Sequence, residues 1–186
     1  MSSRKAVLVP YPSAAAAAVR SIAVEVRFTA AGELSLAYRL EGDVDGLRIP
    51  EPLPPGPADG LWEHTCFEAF IAAGDESAYR EFNFSPSGQW AAYAFADYRQ
   101  RDESVAVAFA PRITLRRSAG SLELDAVLAP SLLPPGSAGY RLGLTAVIEA
   151  TDGAKTYWAL AHPGPRPDFH LRDAFLLDLA APDSSL

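Results

Sequence analysis

Residues 61–97 read LWEHTCFEAFIAAGDESAYREFNFSPSGQWAAYAFAD, and the alternation inside this stretch decides the fold. Successive side chains on a strand point to opposite faces. Thr65, Phe67, Ala69 and Ile71 therefore fall on one face, and His64, Cys66, Glu68 and Phe70 on the other. The first set reads as core; the second mixes polar groups with an aromatic ring. Gly74, Asp75, Glu76 and Ser77 then form a hairpin connection. Beyond it Tyr79, Glu81, Asn83 and Ser85 share one face, and Arg80, Phe82 and Phe84 the other. A polar face tipped with aromatics thus occurs twice in succession. Pro86, Ser87 and Gly88 turn the chain into a third strand that carries Trp90, Tyr93 and Phe95.

The same period runs outward in both directions. Ile22, Val24, Val26 and Phe28 alternate with polar or small residues, as do Leu34, Leu36, Tyr38 and Leu40 after a turn at 29–32, which predicts a hairpin. The stretch RIPEPLPPGPADG (48–60) has too few backbone donors for a sheet interior and reads as a loop that delivers Trp62 to the next strand. YRQRDES (98–104) reads as a charged loop. Further strands are expected at 105–109, 113–115, 122–128, 140–149, 156–160 and 175–179, with the proline-broken loop AHPGPRPDFH (161–170) before the last. The one helix candidate is the alanine-rich segment 13–20, with Ser13 as its N-cap. Ten or eleven short strands at this spacing predict an all-β, antiparallel sandwich. At 186 residues the chain suits one domain, 1–186, with 1–20 as an N-terminal extension.

Charge and composition bound the function. A net charge of −7 argues against a nucleic-acid or anionic-membrane partner, because both need a field of Lys and Arg. A neutral or cationic small molecule fits better. Cys66 is the lone cysteine, so no intrachain disulfide forms and nothing points to an oxidising compartment. Arg4 and Lys5 before an apolar run resemble a secretory signal, but Pro10 and Pro12 interrupt it, and a cytoplasmic location is expected. No apolar run reaches the roughly 18–20 residues of a membrane-crossing helix.

Three motifs, WEHTCFE (62–68), EFNFSPSGQW (81–90) and HPGPRPDFH (162–170), together resemble the DOMON-like family, which is related in fold to the family 9 carbohydrate-binding modules. The resemblance spans 22–179 and implies an immunoglobulin-like β-sandwich. Its functional implication is broader, since relatives bind sugars or haem and a shared fold does not transfer activity. A sugar site needs flat aromatic faces and planar polar groups that bond to hydroxyls. Trp62, Trp90, Trp158, Tyr79 and Tyr157 supply the first kind; Glu68, Arg80, Glu81, Asn83, Asp168 and His170 supply the second. Trp90 and Trp158 suit a sandwich interior equally well, and Glu81 and Asn83 suit the anchoring of nearby loops. Trp62, at a loop-to-strand junction, is the best stacking candidate. His64 and His162 complete the ligand-binding set.

Other chemistries have less to stand on. Haem ligation through Met and His has only Met1 to draw on, which leaves His64, His162 or His170. A transition metal on His64, Cys66 and Glu68, or calcium on Asp97, Asp102 and Glu103, lacks a ligand signature, so no cofactor is expected. Cys66 with His64 or His162 as nucleophile and base, or Glu68 with Glu81 as paired carboxylates, would serve a small hydrolase or metal-dependent enzyme, but no nucleophile elbow or phosphate loop accompanies them. The expectation is a non-catalytic module that binds carbohydrate or a similar polar ligand; protein interaction through exposed sheet edges is a further alternative.

Overall fold

The computed structural model describes residues 3–12, 18–105, 110–136 and 139–182. Twelve strands follow in order: β1 (Arg4–Pro10), β2 (Val19–Phe28), β3 (Leu34–Gly42), β4 (Cys66–Ala73), β5 (Tyr79–Phe84), β6 (Trp90–Asp97), β7 (Gln100–Arg101), β8 (Arg112–Arg117), β9 (Ser121–Leu128), β10 (Tyr140–Glu149), β11 (Lys155–Ala159) and β12 (Leu177–Leu179). They pair antiparallel in the order β7-β6-β5-β4-β10-β11-β1-β2-β3-β9-β8, with β12 beside β10. The architecture is the all-β sandwich that the alternation predicts.

The path folds into two layers because β1 serves both. Its first part pairs with β2, from Arg4 opposite Val26 to Leu8 opposite Ile22, and its last residues pair with β11, Val9 opposite Ala159. The layers close on one apolar core. Val24, Leu36 and Leu124 from β2, β3 and β9 meet Phe67, Phe82 and Leu144 from β4, β5 and β10. Tyr38 crosses the interface: its ring centroid is 5.2 Å from that of Phe67, and its hydroxyl donates to the Glu68 carbonyl at 2.7 Å. That bond gives a buried phenol the partner it needs, a net gain on the order of 1 kcal/mol.

The structure departs from the sequence reading in a few places. Arg4–Pro10, read as part of an extension, is strand β1, and its edge pairing supplies hydrogen bonds that its own alternation did not advertise. The helix candidate falls partly on 13–17, outside the described residues; its end, Val19 and Arg20, opens β2 instead, with Val19 paired to Gly42, so sheet pairing overrides the propensity of a short alanine run. The strand expected at 105–109 lies mainly outside the described residues. Within the charged loop 98–104, Gln100–Arg101 folds back on β6 as β7. The last strand starts two residues later than expected, because Phe175 leaves it to pack on the other side of the sheet.

The proline-rich loop 48–60 stays outside the sheets and docks beside the start of β6 through Leu53 N to Ser87 O and Ala58 N to Trp90 O. It delivers Leu61–Glu63 as a single 3-10 turn at the mouth of the sandwich.

Candidate functional site

The face of β4, β5 and β6 that turns away from the core is the exceptional surface of the molecule. Cross-strand register sets Glu68 opposite Asn83, Phe70 opposite Glu81 and Ala72 opposite Tyr79; Glu81 and Tyr79 in turn lie opposite Tyr93 and Phe95. Residues 167–175 lie over this face. Phe175 fills the space above Gly143 of β10, where a Cβ would meet its ring at 2.8 Å. Its ring lies 5.8 Å from Phe70 and 5.7 Å from Tyr79, and Tyr79 stacks on Phe95 at 4.8 Å. These rings form a second apolar cluster, separate from the sandwich core.

Between this cluster and the 3-10 turn lies an open cavity of about 560 Å³. Glu68 and Glu81 reach it from the sheet, Trp62, Tyr93, Tyr157 and Phe169 give it aromatic walls, and Arg99, Arg101 and Lys155 stand around it. Trp62 is 42 % exposed and meets Tyr93 edge-on at 6.1 Å. The Arg101 guanidinium lies over the Tyr93 ring, 3.9 Å from its centroid.

The two carboxyl groups differ in their surroundings. Glu68 is 2 % exposed and one of its oxygens accepts from Thr145 Oγ1 at 2.9 Å. Burial and the nearby Glu81 push its pKa up to about 8, so at neutral pH it carries a proton. Glu81 accepts from Asn83 Nδ2 at 2.8 Å. Burial raises it too, but the Asn83 bond and the charges of Arg101 and Arg99 oppose the rise. No hydrogen bond from another described residue reaches the second oxygen of either group, and both residues line the cavity.

His170 completes the sheet side of the cavity. Its Nδ1 lies 2.8 Å from Tyr79 Oη, which itself accepts the Arg99 N–H at 3.2 Å. The phenol proton is thereby directed at Nδ1, leaving Nε2–H to face Glu81 Oε2 at 3.7 Å. Burial and the Arg99 charge pull His170 down to about 4, so this contact at neutral pH is between a neutral ring and a carboxyl, not an ion pair. Arg99 adopts φ 53, in the left-handed region that a non-glycine residue enters only when held there. It is held at both ends: its N–H bonds to Tyr79 and its guanidinium to Asp168 at 2.9 Å. Asp168 also accepts from Tyr98 Oη at 2.6 Å and His170 N at 3.1 Å. Burial pushes the Asp168 carboxyl up, yet these donors outweigh it and hold it below the ordinary range.

Of the residues proposed from sequence, Trp62, Glu68, Glu81, Tyr157 and His170 meet at the cavity. Tyr79, Asn83 and Asp168 sit behind it: Tyr79 orients His170, Asn83 holds Glu81, and Asp168 ties down the loop. The rest lie elsewhere. Trp158 is buried in the sandwich core at 3 % exposure and donates to Thr156 Oγ1, because β11 points it inward. Trp90 packs at the start of β6 against the proline-rich loop, bridged to Pro57. His64 leaves the face it shares by parity, since it caps the 3-10 turn, and pairs with Glu149 at 2.7 Å; it lines a neighbouring cavity with Trp62. His162 contacts Val9 O at 2.9 Å and Tyr11 edge-on. Arg80 bonds to the Leu132 carbonyl, on the core side of β5. Tyr93, Phe95, Arg99, Arg101, Lys155 and Phe169 were missed as site residues; Tyr93 and Phe95 had a legible signal, since their parity on the third strand matches Glu81 and Tyr79 across the sheet.

Of the catalytic pairs considered from sequence, Glu68 and Glu81 line one cavity, whereas Cys66 has no base beside it. Cys66 Sγ faces Asn83 Oδ1 at 3.8 Å and the Phe84 carbonyl at 3.7 Å, not His64, and burial raises its thiol well above the ordinary value. Asp97 and Asp102 turn onto the backbone N–H groups of Tyr98 and Ser104. Among the described residues, no three His, Cys, Asp or Glu side chains group so as to hold a metal ion.

No family model matches the chain, and no curated protein matches it. Solved structures do. The chain is similar to a candidate carbohydrate-binding protein from Bacteroides uniformis ATCC 8492, with 16% identity over 92% of this chain and 83% of that one and a TM-score of 0.66. It is also similar to a family 9 carbohydrate-binding module from Caldicellulosiruptor kristjanssonii in complex with cellotriose, with 7% identity, 84% and 72% coverage and a TM-score of 0.55. What is shared is the sandwich. At such identities the likeness establishes the fold, and the resemblance to the DOMON-like family stays with the three sequence motifs.

Proposed function

We propose that this chain binds a carbohydrate, or a small ligand of similar polarity, in the cavity over β4, β5 and β6. The observation that carries the reading is the pair of carboxyl groups, each held by one protein donor and each with a second oxygen left for a ligand. Such groups, set beside aromatic walls, suit a pyranose: hydroxyls bond in the ring plane while the apolar ring faces lie on Trp62, Tyr93 or Phe169. The two similar structures, one a candidate carbohydrate-binding protein and the other holding cellotriose, lend further support. A protonated Glu68 donates as well as accepts, matching the dual character of a sugar hydroxyl.

A thermal-shift screen over neutral mono- and oligosaccharides tests the reading, since a ligand that prefers the folded state raises the melting temperature. A hit is expected to lose at least tenfold in affinity in Trp62→Ala, whose melting temperature stays near that of the parent because the ring is exposed. A full panel with no shift, or a hit indifferent to Trp62, overturns it.

A further inference from the structure

We propose that the pocket does more than hold a sugar: Glu68 as general acid and Glu81 as general base interconvert the α and β anomers of a reducing sugar placed between them. The inference rests on the carbohydrate reading and asks what the two carboxyls do to a bound ring.

Geometry comes first. Glu68 pairs across the sheet with Asn83, and Phe70 with Glu81, so the two glutamates are diagonal neighbours on one face, about 7 Å apart at their roots. Side chains of that length converge on a group standing above the strands. An anomeric carbon carries two oxygens, the ring O5 and the hydroxyl O1, that one carboxyl on each side can reach at once. Each glutamate is fixed by one hydrogen bond, to Thr145 or Asn83, and keeps its other oxygen for the substrate.

The environments then assign the roles. Burial and the Glu81 carboxyl raise Glu68 against the single opposing Thr145 hydrogen bond, with the neutral Cys66 thiol and Tyr38 phenol nearby and no cation among these neighbours, and it is held protonated up to about pH 8. Glu81 faces Arg99 and Arg101, which favour its charge, with Tyr79, Tyr93 and a neutral His170 beside it. Burial raises both carboxyls, but only Glu81 has cationic neighbours to oppose the rise, and that difference divides them into acid and base.

The reaction needs no co-reactant. Glu81 takes the proton from O1–H as the C1=O1 bond forms; the C1–O5 bond breaks, its electron pair goes to O5, and Glu68 supplies the proton there. The open-chain aldehyde turns about C1–C2. Closure runs the transfers in reverse: O5–H returns its proton to Glu68 as O5 attacks the other face of C1, and the carbonyl oxygen takes back the proton from Glu81. Both carboxyls end as they began. General acid and base catalysis by positioned groups contributes typically 10²–10⁴-fold each.

The test uses the whole chain and freshly dissolved α-glucose, α-galactose and α-xylose, with anomer ratios followed by proton NMR. Expected is a mutarotation rate that rises in proportion to protein concentration, at least tenfold over buffer, for a sugar that also raises the melting temperature. Glu68→Gln and Glu81→Gln are each expected to lower the protein-dependent rate at least a hundredfold at saturating sugar, a fall larger than any loss of affinity read from the melting-temperature shift. The parent rate should fall above pH 8, as Glu68 loses its proton, and again on acidification, as Glu81 gains one. A sugar that binds but equilibrates no faster than in buffer overturns the inference and leaves the binding function standing. Unchanged rates in both variants overturn it as well. If none of the three sugars raises the melting temperature, this inference falls, whereas the carbohydrate reading falls only if the full panel is silent as well.

Discussion

Strand β3 buries alternate residues and lets those between them reach toward solvent, whereas every residue of β4 is buried. The two strands lie in opposite layers of one sandwich and feed the same core. Their outer faces account for the difference. Over β3, β9 and β8 the outer face is a lattice of solvent-facing ion pairs, Arg39 with Glu41 and Glu123, and Arg116 with Glu123 and Asp125. Over β4 and β5 the outer face is roofed by residues 167–175 and holds two carboxyls, a neutral histidine and a ring of aromatics. One layer spends its outer face on solubility, and the other keeps titratable groups away from water where their protonation can be set by neighbours.

The contrast is sharpest for apolar truncation. Phe70→Ala removes the ring on which Phe175 and His170 rest, and about 3–5 kcal/mol of stability is expected to go with it in chemical denaturation, together with ligand binding. A comparable loss of binding with full stability would show the roof to be independent of the sheet.

Next in size is pH dependence. The native Glu68 pKa of about 8 lies above its ordinary 4.5, so between these values the folded protein binds a proton that the unfolded chain releases. Its stabilising share is fully present below 4.5, declines as pH rises, and is gone above about 8, at a slope approaching 1.4 kcal/mol per pH unit. Denaturation of Glu68→Gln across this range is expected to lack that decline. His170 works in the opposite sense: depressed to about 4, it favours the folded state above 6.5 and loses that share as pH falls toward 4. Identical pH profiles for parent and Glu68→Gln would mean that the sheet side of the cavity is wetter than its burial implies.

Asp168→Asn weakens the tie between the roof and Arg99, with an expected cost of about 1–2 kcal/mol and faster hydrogen exchange confined to 166–170. Smallest of all, Arg39→Ala on the other layer is expected to change stability by no more than about 0.5 kcal/mol, because Arg39 is exposed and solvent screens its pairs. A large effect there would erase the distinction between the two faces.

Much of this was legible from alternation. The inward residues of β2, β3, β4, β5, β9 and β10 follow from period two, since burial of one face fixes parity along each strand. Glu68 and Glu81 were candidates for the same reason: each interrupts an apolar strand on the face opposite the core. Trp158 was not separable from a site residue, because a tryptophan on a strand has the same local pattern whichever layer it meets. Strand β1 was hidden by its edge-bridging role, which depends on partners more than a hundred residues away as well as on β2. Arg99 and Arg101 looked like charged loop residues until β7 folded them back over Tyr93 and Asp168.

By itself the sequence determined the all-strand class, the core parity and the presence of paired acids on a noncore face, since each is a local consequence of side-chain direction. Only the tertiary structure decided that the loop after β11 roofs that face, that His170 stands neutral beside Glu81, and that the two glutamates differ in their hold on a proton. Those outcomes depend on distances between segments far apart in the chain and on the water that their packing removes, which no local pattern encodes.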